Sequence, residues 1–252
     1  GVVAVVLLGF MGIGKAHKDP AIDKSSSKNL NVITTTSEYT YYRDNNGFDG
    51  MEFHLIDKFA YQFDYNLNII LADSSEEIYK ALDEGIADVA LLGKPLSLSR
   101  QSVLEQTPSY MDVTSQLIYR HGQGKPKSFE ELADKVIMVQ DTEQNREKYQ
   151  FIKAHYGDIE WQFTDYTIEE LLGMVNTDTI DFTIVNSHEF LLKRSLFTRT
   201  RVAFDLYYPE PIAFIFSPTS DESLKNSLNV FFDRAKEDGT IDHLVERFYG
   251  HA

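Results

Sequence analysis

Residues 74–92, with the sequence SSEEIYKALDEGIADVALL, indicate the fold class because they lead from a helix into a buried strand through one glycine. Asp73 or Ser74 is a suitable helix cap, and Gly85 lies just past the end of the helix at Glu84. The run 89–92 is apolar throughout, which is typical of a strand inside a sheet. Three apolar residues share one face of the helix: Ile78, Ala81 and Leu82. The stretch therefore predicts a helix packed on a sheet.

The same alternation of short strands and amphipathic helices extends over most of the chain. It is the pattern of an α/β protein with a largely parallel sheet. A break at Gly124–Pro126 separates two such series, so we expect two small α/β units. Strands are predicted at 30–35, 67–71, 89–92, 136–139, 161–163, 182–185 and 212–216, and helices at 51–63, 74–84, 143–155, 168–175, 222–232 and 241–248.

Composition excludes several classes of function. The 252 residues are 42% hydrophobic, which is enough to bury a core in each unit. The 24 Lys and Arg residues against 39 Asp and Glu residues give a net charge of -15, which opposes the nucleic-acid backbone and excludes nucleic acid as a partner. Cysteine is absent, which excludes disulfides and thiolate chemistry. The seven histidines form no cluster in the sequence, so neither a metal nor another cofactor is predicted.

Residues 1–28 are predicted to be the remnant of a signal or anchor, followed by a linker. Gly1–Gly14 is apolar and uncharged, but it is shorter than the roughly 20 residues that span a bilayer. Gly14-Lys15-Ala16 is a small-x-small pattern that suits signal cleavage, so we expect export to the periplasm. A retained N-terminal membrane anchor is the alternative.

A second pattern overlaps this segment, because Gly9–Lys15 (GFMGIGK) matches the G-x-x-x-x-G-K of a phosphate-binding loop. That motif requires Ser or Thr next, to hold magnesium, but Ala16 follows. It also requires a helix whose N-terminal amides face the phosphates. The stretch that follows contains Pro20 and Ser25–Ser27, which are typical of a linker. We therefore predict no nucleotide binding at this segment.

Equilibrium dialysis against ATP and magnesium tests this prediction, and we expect it to show no binding. Saturable binding that disappears in Lys15→Ala would contradict the prediction, because Lys15 is the residue that a phosphate-binding loop would use.

Four segments carry a family resemblance, and they occur in the family's order. They are Phe48–Leu55 (FDGMEFHL) followed by Asp57–Ala60, Leu82–Val89 (LDEGIADV), Gly93–Arg100 followed by Thr107–Tyr110, and Glu237–Leu244 (EDGTIDHL) with Phe248–Gly250. From about Leu30 to Gly250 the chain resembles the periplasmic solute-binding proteins of type 2, family 3, which recognise amino acids.

The resemblance implies a two-lobed α/β periplasmic-binding-protein fold of type 2 with a ligand cleft between the lobes. Lobe 1 is expected to contain residues 29–119 and 212–252, and lobe 2 residues 120–211. Glu237–His251 and Ile180–Ser187 are most similar to the N-terminal domain of the membrane-bound lytic murein transglycosylase F family. In that family a C-terminal lysozyme-like domain cuts peptidoglycan, so peptidoglycan and a catalytic domain beyond Ala252 are expected partners.

The resemblance also implies ligand-binding residues. Arg100 stands where the family places the arginine that holds a ligand carboxylate, and a planar guanidinium suits bidentate bonds to that group. Ser97 matches a nearby position whose backbone and hydroxyl contact ligand, although Pro95 stands where the family often has Thr. Without the resemblance, Arg100 is better interpreted as a solvated surface residue.

In the second half of the chain, Asn186 takes the position where amino-acid binders usually have an Asp that pairs with the ligand's ammonium group. An amide can accept that bond without supplying charge. At the first helix of lobe 2, Thr142 and Glu143 replace the family's Gly-Thr pair, which puts negative charge where backbone amides would meet an anion. Thr142 is kept as a ligand-binding candidate, and the ligand is not expected to be a simple zwitterion.

Aromatic residues follow the first strand. Tyr39, Tyr41 and Tyr42 stand where the family's cleft-facing aromatics lie, and such rings form a rigid wall with a polar tip. At least one of them is expected to contact the ligand, with Tyr39 and Tyr41 as the candidates. The alternative for all three is packing between lobes. His54 replaces an acid that is usual in its segment and is predicted to be structural.

The leading hypothesis is a binding module that senses an amino acid or a muropeptide and regulates an attached transglycosylase. A free-standing amino-acid-binding protein of a transporter is the first alternative. The second is a cleft enzyme that resembles cyclohexadienyl dehydratases, which would require a desolvated carboxylate or histidine in the pocket. Glu38 and Glu143 are the nearest candidates, but they are expected to be solvated, so no catalytic residue is predicted.

Overall fold

A computed structural model describes residues 4–5, 28–206 and 208–250, and these form two compact units. Unit 1 contains the described residues up to Lys94, then Arg100–Met111 and Ile212–Phe248. Unit 2 contains Pro95–Ser99, Asp112–Pro211 and the described residues from Tyr249 onward. Pro95–Ser99 thus groups with unit 2, although the residues on either side of it group with unit 1.

Unit 1 is built on a five-stranded sheet in the order β1-β5-β2-β6-β14. Strands β5, β2 and β6 are parallel, whereas β1 and β14 pair at the edges in the antiparallel sense. A hairpin of β3 and β4 precedes the first helix. The elements are β1 (Ala4–Val5), β2 (Lys28–Thr34), β3 (Tyr42–Asp44), β4 (Gly47–Asp49), α1 (Met51–Gln62), β5 (Tyr65–Leu71), α2 (Ser75–Asp83), β6 (Val89–Leu91), β14 (Ile215–Phe216), α7 (Glu222–Glu237) and α8 (Thr240–Tyr249). The short helix α3 (Leu98–Gln101) begins in the segment that groups with unit 2 and ends in unit 1.

The core of unit 1 follows from the apolar pattern of these elements. Leu30 and Val32 of the central strand β2 are fully buried, as are Ile56 and Phe59 on one face of α1. The Ser74 hydroxyl caps α2 by accepting a hydrogen bond from the Glu77 amide. The predicted helix at 74–84 and the predicted strand at 89–92 are therefore confirmed within one or two residues.

Unit 2 repeats the design with a five-stranded sheet in the order β10-β9-β11-β8-β12. Strands β10, β9 and β11 are parallel, and β8 and β12 are antiparallel to their neighbours. The strands β7 (Met111–Val113) and β13 (Glu210–Ile212) form a separate two-stranded sheet. The other elements are β8 (Ser115–Arg120), β9 (Ile137–Gln140), α4 (Glu143–Tyr156), β10 (Trp161–Thr164), α5 (Ile168–Asn176), β11 (Phe182–Asn186), α6 (Ser187–Lys193) and β12 (Thr200–Asp205).

One predicted strand is wrong. The stretch 212–216 is not a single strand, because Ile212 ends β13 and Ile215 begins β14, in different sheets. Between them, Phe214 pairs with Thr107 instead: the Thr107 amide donates to the Phe214 carbonyl at 2.9 Å, and the Phe214 amide donates to the Thr107 hydroxyl at 3.0 Å. These two bonds take the backbone of Phe214 out of either sheet.

The predicted signal or anchor segment and the pattern at Gly9–Lys15 lie outside the described residues, apart from the short strand β1. Within residues 28–206 and 208–250, every helix is too short or too polar to cross a bilayer.

Gly50 fixes the approach of the tyrosine-rich loop to α1. Its φ of 124° is a conformation that side chains rarely adopt, and an added Cβ would lie 2.3 Å from the Thr40 carbonyl oxygen. That oxygen accepts a hydrogen bond from the Phe53 amide in the first turn of α1. Only glycine lets the loop lie this close to the helix.

We therefore expect Gly50→Ala to lower the free energy of unfolding by at least about 3 kcal/mol, since it combines a strained backbone with a clash. Gly157→Ala is the matched control, because Gly157 also has a positive φ, of 82°, but has open space around it. Strain alone should cost the control about 1 kcal/mol. If the two variants lose equal free energy of unfolding in urea, the close approach at Gly50 adds no destabilisation beyond backbone strain.

Candidate functional site

The loop after β2 carries the predicted tyrosines. Tyr41 is 3% exposed, with its ring stacked on Phe48 at 5.2 Å between centroids and edge-on to Phe53 at 5.4 Å. Burial raises the pKa of Tyr41 to about 12. Tyr39, by contrast, is only half-buried. The structure thus places Tyr41 in the core of unit 1 and leaves part of Tyr39 at the surface of that unit.

Gly93 brings the end of β6 against the same loop. Its φ is 67°, and an added Cβ would lie 2.8 Å from Tyr39 Cβ and 2.9 Å from Thr40 Cγ2. Glycine is required here by both its conformation and its neighbours. The loops that follow β2 and β6 therefore meet at this edge of the sheet.

Glu52 lies beneath this meeting point with a fully buried carboxyl group. Burial raises the pKa of Glu52 to about 8, although the nearby Tyr110 hydroxyl and Gly93 backbone favour the charged form and lower it in part. At neutral pH the carboxyl is therefore mostly protonated. Glu52 was not predicted to be a site residue. Its core-facing position could nevertheless be predicted, because Glu52, Ile56 and Phe59 fall at the i, i+4 and i+7 positions of α1.

Arg100 lies in α3, and its guanidinium carbon stands 3.8 Å from the centre of the Tyr79 ring. Tyr79 belongs to α2 and is 4% exposed, so the ring is a fixed platform within unit 1. A guanidinium this close to the centre of an aromatic ring makes a cation–π contact, which helps to hold Arg100 in place within unit 1.

Ser97 is buried within unit 2, at 2% exposure. Its hydroxyl donates to Glu143 Oε2 at 3.2 Å and lies 3.3 Å from the Ser99 hydroxyl. From the sequence, Glu143 of α4 was expected to put a negative charge where backbone amides would otherwise meet an anion. In the structure that charge is directed at a side chain of the protein itself.

Thr142 and Asn186 both stand at helix starts in unit 2. The Thr142 hydroxyl caps α4 by accepting from the Asn145 amide at 3.1 Å. Asn186 is the last residue of β11 and the N-cap of α6, and its backbone amide donates to Glu189 Oε1 at 2.9 Å. Local structure thus accounts for the placement of both residues, and a role for either in binding ligand stays a prediction.

The predicted residues share a position in the topology. Tyr39 and Arg100 follow the parallel strands β2 and β6 of unit 1, while Thr142 follows and Asn186 ends the parallel strands β9 and β11 of unit 2. In α/β proteins, ligands bind at the carboxyl ends of parallel strands. Each of these four candidates therefore comes at or after the carboxyl end of a parallel strand, where binding is expected.

His54 was predicted to be structural, and the contact that the structure gives its side chain lies within unit 1. His54 Nε2 lies 2.6 Å from Asp49 Oδ1, which gives that histidine a partner within unit 1. Among residues 28–206 and 208–250, no group of three or more potential His or carboxylate ligands comes together.

Comparison with known proteins extends these observations. The family model for "Bacterial extracellular solute-binding proteins, family 3" matches residues 30–251. A membrane-bound lytic murein transglycosylase F from Stutzerimonas stutzeri is 34% identical over 224 residues, which cover 88% of this chain and 46% of the relative. The corresponding protein of Ectopseudomonas mendocina is 31% identical over 255 residues, which cover 100% of this chain and 52% of that relative. The chain thus spans about half the length of these relatives.

Solved structures agree on the fold. An ancestral arginine-binding protein bound to arginine superimposes with a TM-score of 0.71 at 19% identity, covering 88% of this chain and 98% of that one. An ancestral amino acid-binding protein described as a precursor of cyclohexadienyl dehydratase superimposes with a TM-score of 0.72 at 22% identity, covering 88% of this chain and 95% of that one. The expected α/β periplasmic-binding-protein fold is confirmed.

Proposed function

We propose that this chain, which belongs to the bacterial extracellular solute-binding proteins of family 3, is the ligand-binding module of a lytic murein transglycosylase-like protein. Its ligand is an amino acid or a cell-wall peptide, and its role is to sense that ligand and regulate an attached catalytic domain. The observation that carries the proposal is the match to the transglycosylase relatives over 88% of this chain but only 46% of their length.

Arg100 supports the binding of a carboxylate. It is held in α3 on the Tyr79 ring, and a carboxylate is the natural partner of an oriented guanidinium. Tyr39 supports a ligand with an apolar portion, because it leaves part of an aromatic ring at the sheet edge where β2 and β6 end. Together these features fit a small organic acid that also has a hydrophobic surface.

The side chain of Asn186 bears on the kind of amino group that the ligand carries. An Asn can accept a hydrogen bond from an ammonium group but does not neutralise it, so selectivity for a free α-amino group is weaker than an Asp would provide. The side-chain oxygen of Asn can accept a hydrogen bond from the N–H of a peptide or of an acylated amino group as readily as from an ammonium group. This favours a cell-wall peptide over a free amino acid.

Native mass spectrometry of the protein after export to a bacterial periplasm tests the binding role. We expect a non-covalent adduct with the mass of an amino acid or a peptidoglycan stem peptide, and we expect it to be absent from Arg100→Ala. An adduct that persists unchanged in the variant would remove Arg100 from the site.

A free-standing binding protein is the second candidate, favoured by one observation. The match covers 98% of the ancestral arginine-binding protein, so the matched part of this chain corresponds to nearly the whole of that binding protein. The sequence encoded after Ala252 separates the two candidates. A lysozyme-like domain there supports the transglycosylase, and a stop codon supports the free-standing binder.

A further inference from the structure

Glu52 of α1 is a fully buried carboxyl group to which the ligand-binding hypothesis gives no role. Glutamate is among the residues that are least often fully buried. A buried carboxyl group needs hydrogen-bond partners, because burial without them costs free energy. The groups that face Glu52 therefore indicate what this residue does in unit 1.

Two hydrogen-bond donors of unit 1 face the Glu52 carboxyl, namely the Tyr110 hydroxyl and the Gly93 backbone amide. Tyr110 is itself held firmly at 5% exposure. Its ring lies edge-on to Phe214 at 6.2 Å between centroids, and its amide donates to the Ile212 carbonyl at 3.0 Å. Glu52 is in turn fixed by the first turn of α1. The carboxyl group therefore connects Gly93 to two well-packed parts of unit 1.

Gly93 also lies against the loop that carries Tyr39. An added Cβ at Gly93 would lie 2.8 Å from Tyr39 Cβ and 2.9 Å from Thr40 Cγ2, so its backbone is in close contact with both residues. Thr40 is fixed at this point, since its hydroxyl donates to the Thr35 carbonyl at 2.7 Å. Groups packed this closely do not move independently. A displacement of Gly93 should therefore displace Tyr39 as well.

We propose that Glu52 is a positioning residue for Tyr39. By accepting a hydrogen bond from the Gly93 amide, Glu52 fixes the turn after β6 against which Tyr39 packs. The Tyr110 hydroxyl orients the carboxyl group for this contact. The functional importance of Glu52 rests on the proposed role of Tyr39 in ligand binding, but the contacts all lie within unit 1 and can be tested without a ligand.

The first measurement is a pH titration of the unliganded protein by NMR, from about pH 7 to 9.5, which lies above the ordinary pKa of histidine and below that of tyrosine. Burial raises the pKa of Glu52 to about 8, and Tyr110 is the titratable group that faces it. A charged acceptor binds an N–H group more strongly than a neutral one, so ionisation should draw the Gly93 amide closer. The non-exchanging Cα resonances of Gly93 and Tyr39 should therefore both shift, with one midpoint near pH 8.

Three variants show whether these shifts come from Glu52. Glu52→Gln should abolish both, because an amide does not ionise in this range. Tyr110→Phe should raise the midpoint, because it removes a donor that favours the charged form. Glu76→Gln, at an exposed position of α2, is the control and should leave the midpoint unchanged. A merely structural role for Glu52 would alter stability without a titration at Tyr39.

The second measurement is amide hydrogen exchange at neutral pH. Glu52→Leu keeps a side chain of similar size but removes the acceptor, so we expect exchange of the Gly93 amide to accelerate about 10-fold or more. Glu52→Gln keeps one acceptor oxygen and should retain part of the protection.

The absence of any Glu52-dependent shift at Gly93 would overturn the contact between these two residues, as would unchanged exchange of the Gly93 amide in a folded Glu52→Leu protein. A shift at Gly93 without one at Tyr39 would overturn the positioning of Tyr39. If both measurements behave as expected but Tyr39→Ala still carries the periplasmic adduct found on the wild type, the proposed role of Tyr39 in binding fails and its positioning by Glu52 stands.

Discussion

Replacing Glu52 with Gln is expected to stabilise the protein at neutral and mildly alkaline pH and to have little effect near pH 4.5. The buried carboxyl has a pKa of about 8 in the folded protein, against an ordinary value of 4.5 when the chain is unfolded. Between these two pH values the folded state keeps a proton that the unfolded state has lost. Raising the pH therefore favours unfolding by roughly 1 kcal/mol per pH unit.

Glutamine remains neutral at every pH and has nearly the same shape, so Glu52→Gln should lack this dependence. The stability difference between variant and wild type should grow across the window from about pH 4.5 to 8 and reach a few kcal/mol. Urea unfolding at several pH values measures it. Glu76→Gln, at an exposed position of α2 in the same unit, should show no such growth. A difference that does not vary with pH would mean that Glu52 is ionised in the folded state.

The second large effect concerns Arg100, whose change to Ala should weaken ligand binding by about 100-fold or more. Two charge-assisted hydrogen bonds would be lost, each worth more than a neutral one. Arg100→Lys should recover only part of the affinity, because an ammonium group keeps the charge but cannot form the planar pair. The unliganded Arg100→Ala protein should unfold within a few degrees of wild type.

Arg234→Ala is the matched control for the Arg100 variants, since Arg234 is an exposed residue of α7 in the same unit. It removes the same charge and should leave the affinity unchanged. If both variants weaken binding equally, the effect comes from net charge and Arg100 has no specific role.

The fold could be predicted from the sequence wherever burial imposed a clear period. The helix α2 is an example, because a cap, an apolar stripe and a following glycine all agreed. The error at 212–216 arose because that stretch is continuously apolar, and the exchange of bonds between Phe214 and Thr107 joins positions far apart in the chain. Periodicity records which residues are buried, but it does not record which strand they pair with.

The candidate site, too, could be predicted only in part from the sequence. Arg100 could be proposed from its place in a motif, but its Tyr79 platform depends on how α2 packs against α3. The packing of Tyr41 against Phe48 and Phe53 could not be predicted, because it depends on how the loop after β2 folds against the hairpin and α1. Contacts of this type become visible only once the tertiary structure is known.

The most direct test of the central claim is isothermal titration calorimetry of the purified protein with single amino acids and with peptidoglycan stem peptides. We expect at least one compound to bind saturably, with one-to-one stoichiometry and an affinity in the micromolar range or tighter, and we expect Arg100→Ala to weaken that binding by about 100-fold or more. If a protein shown to be folded gives no saturable heat with any of these compounds, it is not a receptor for amino acids or cell-wall peptides.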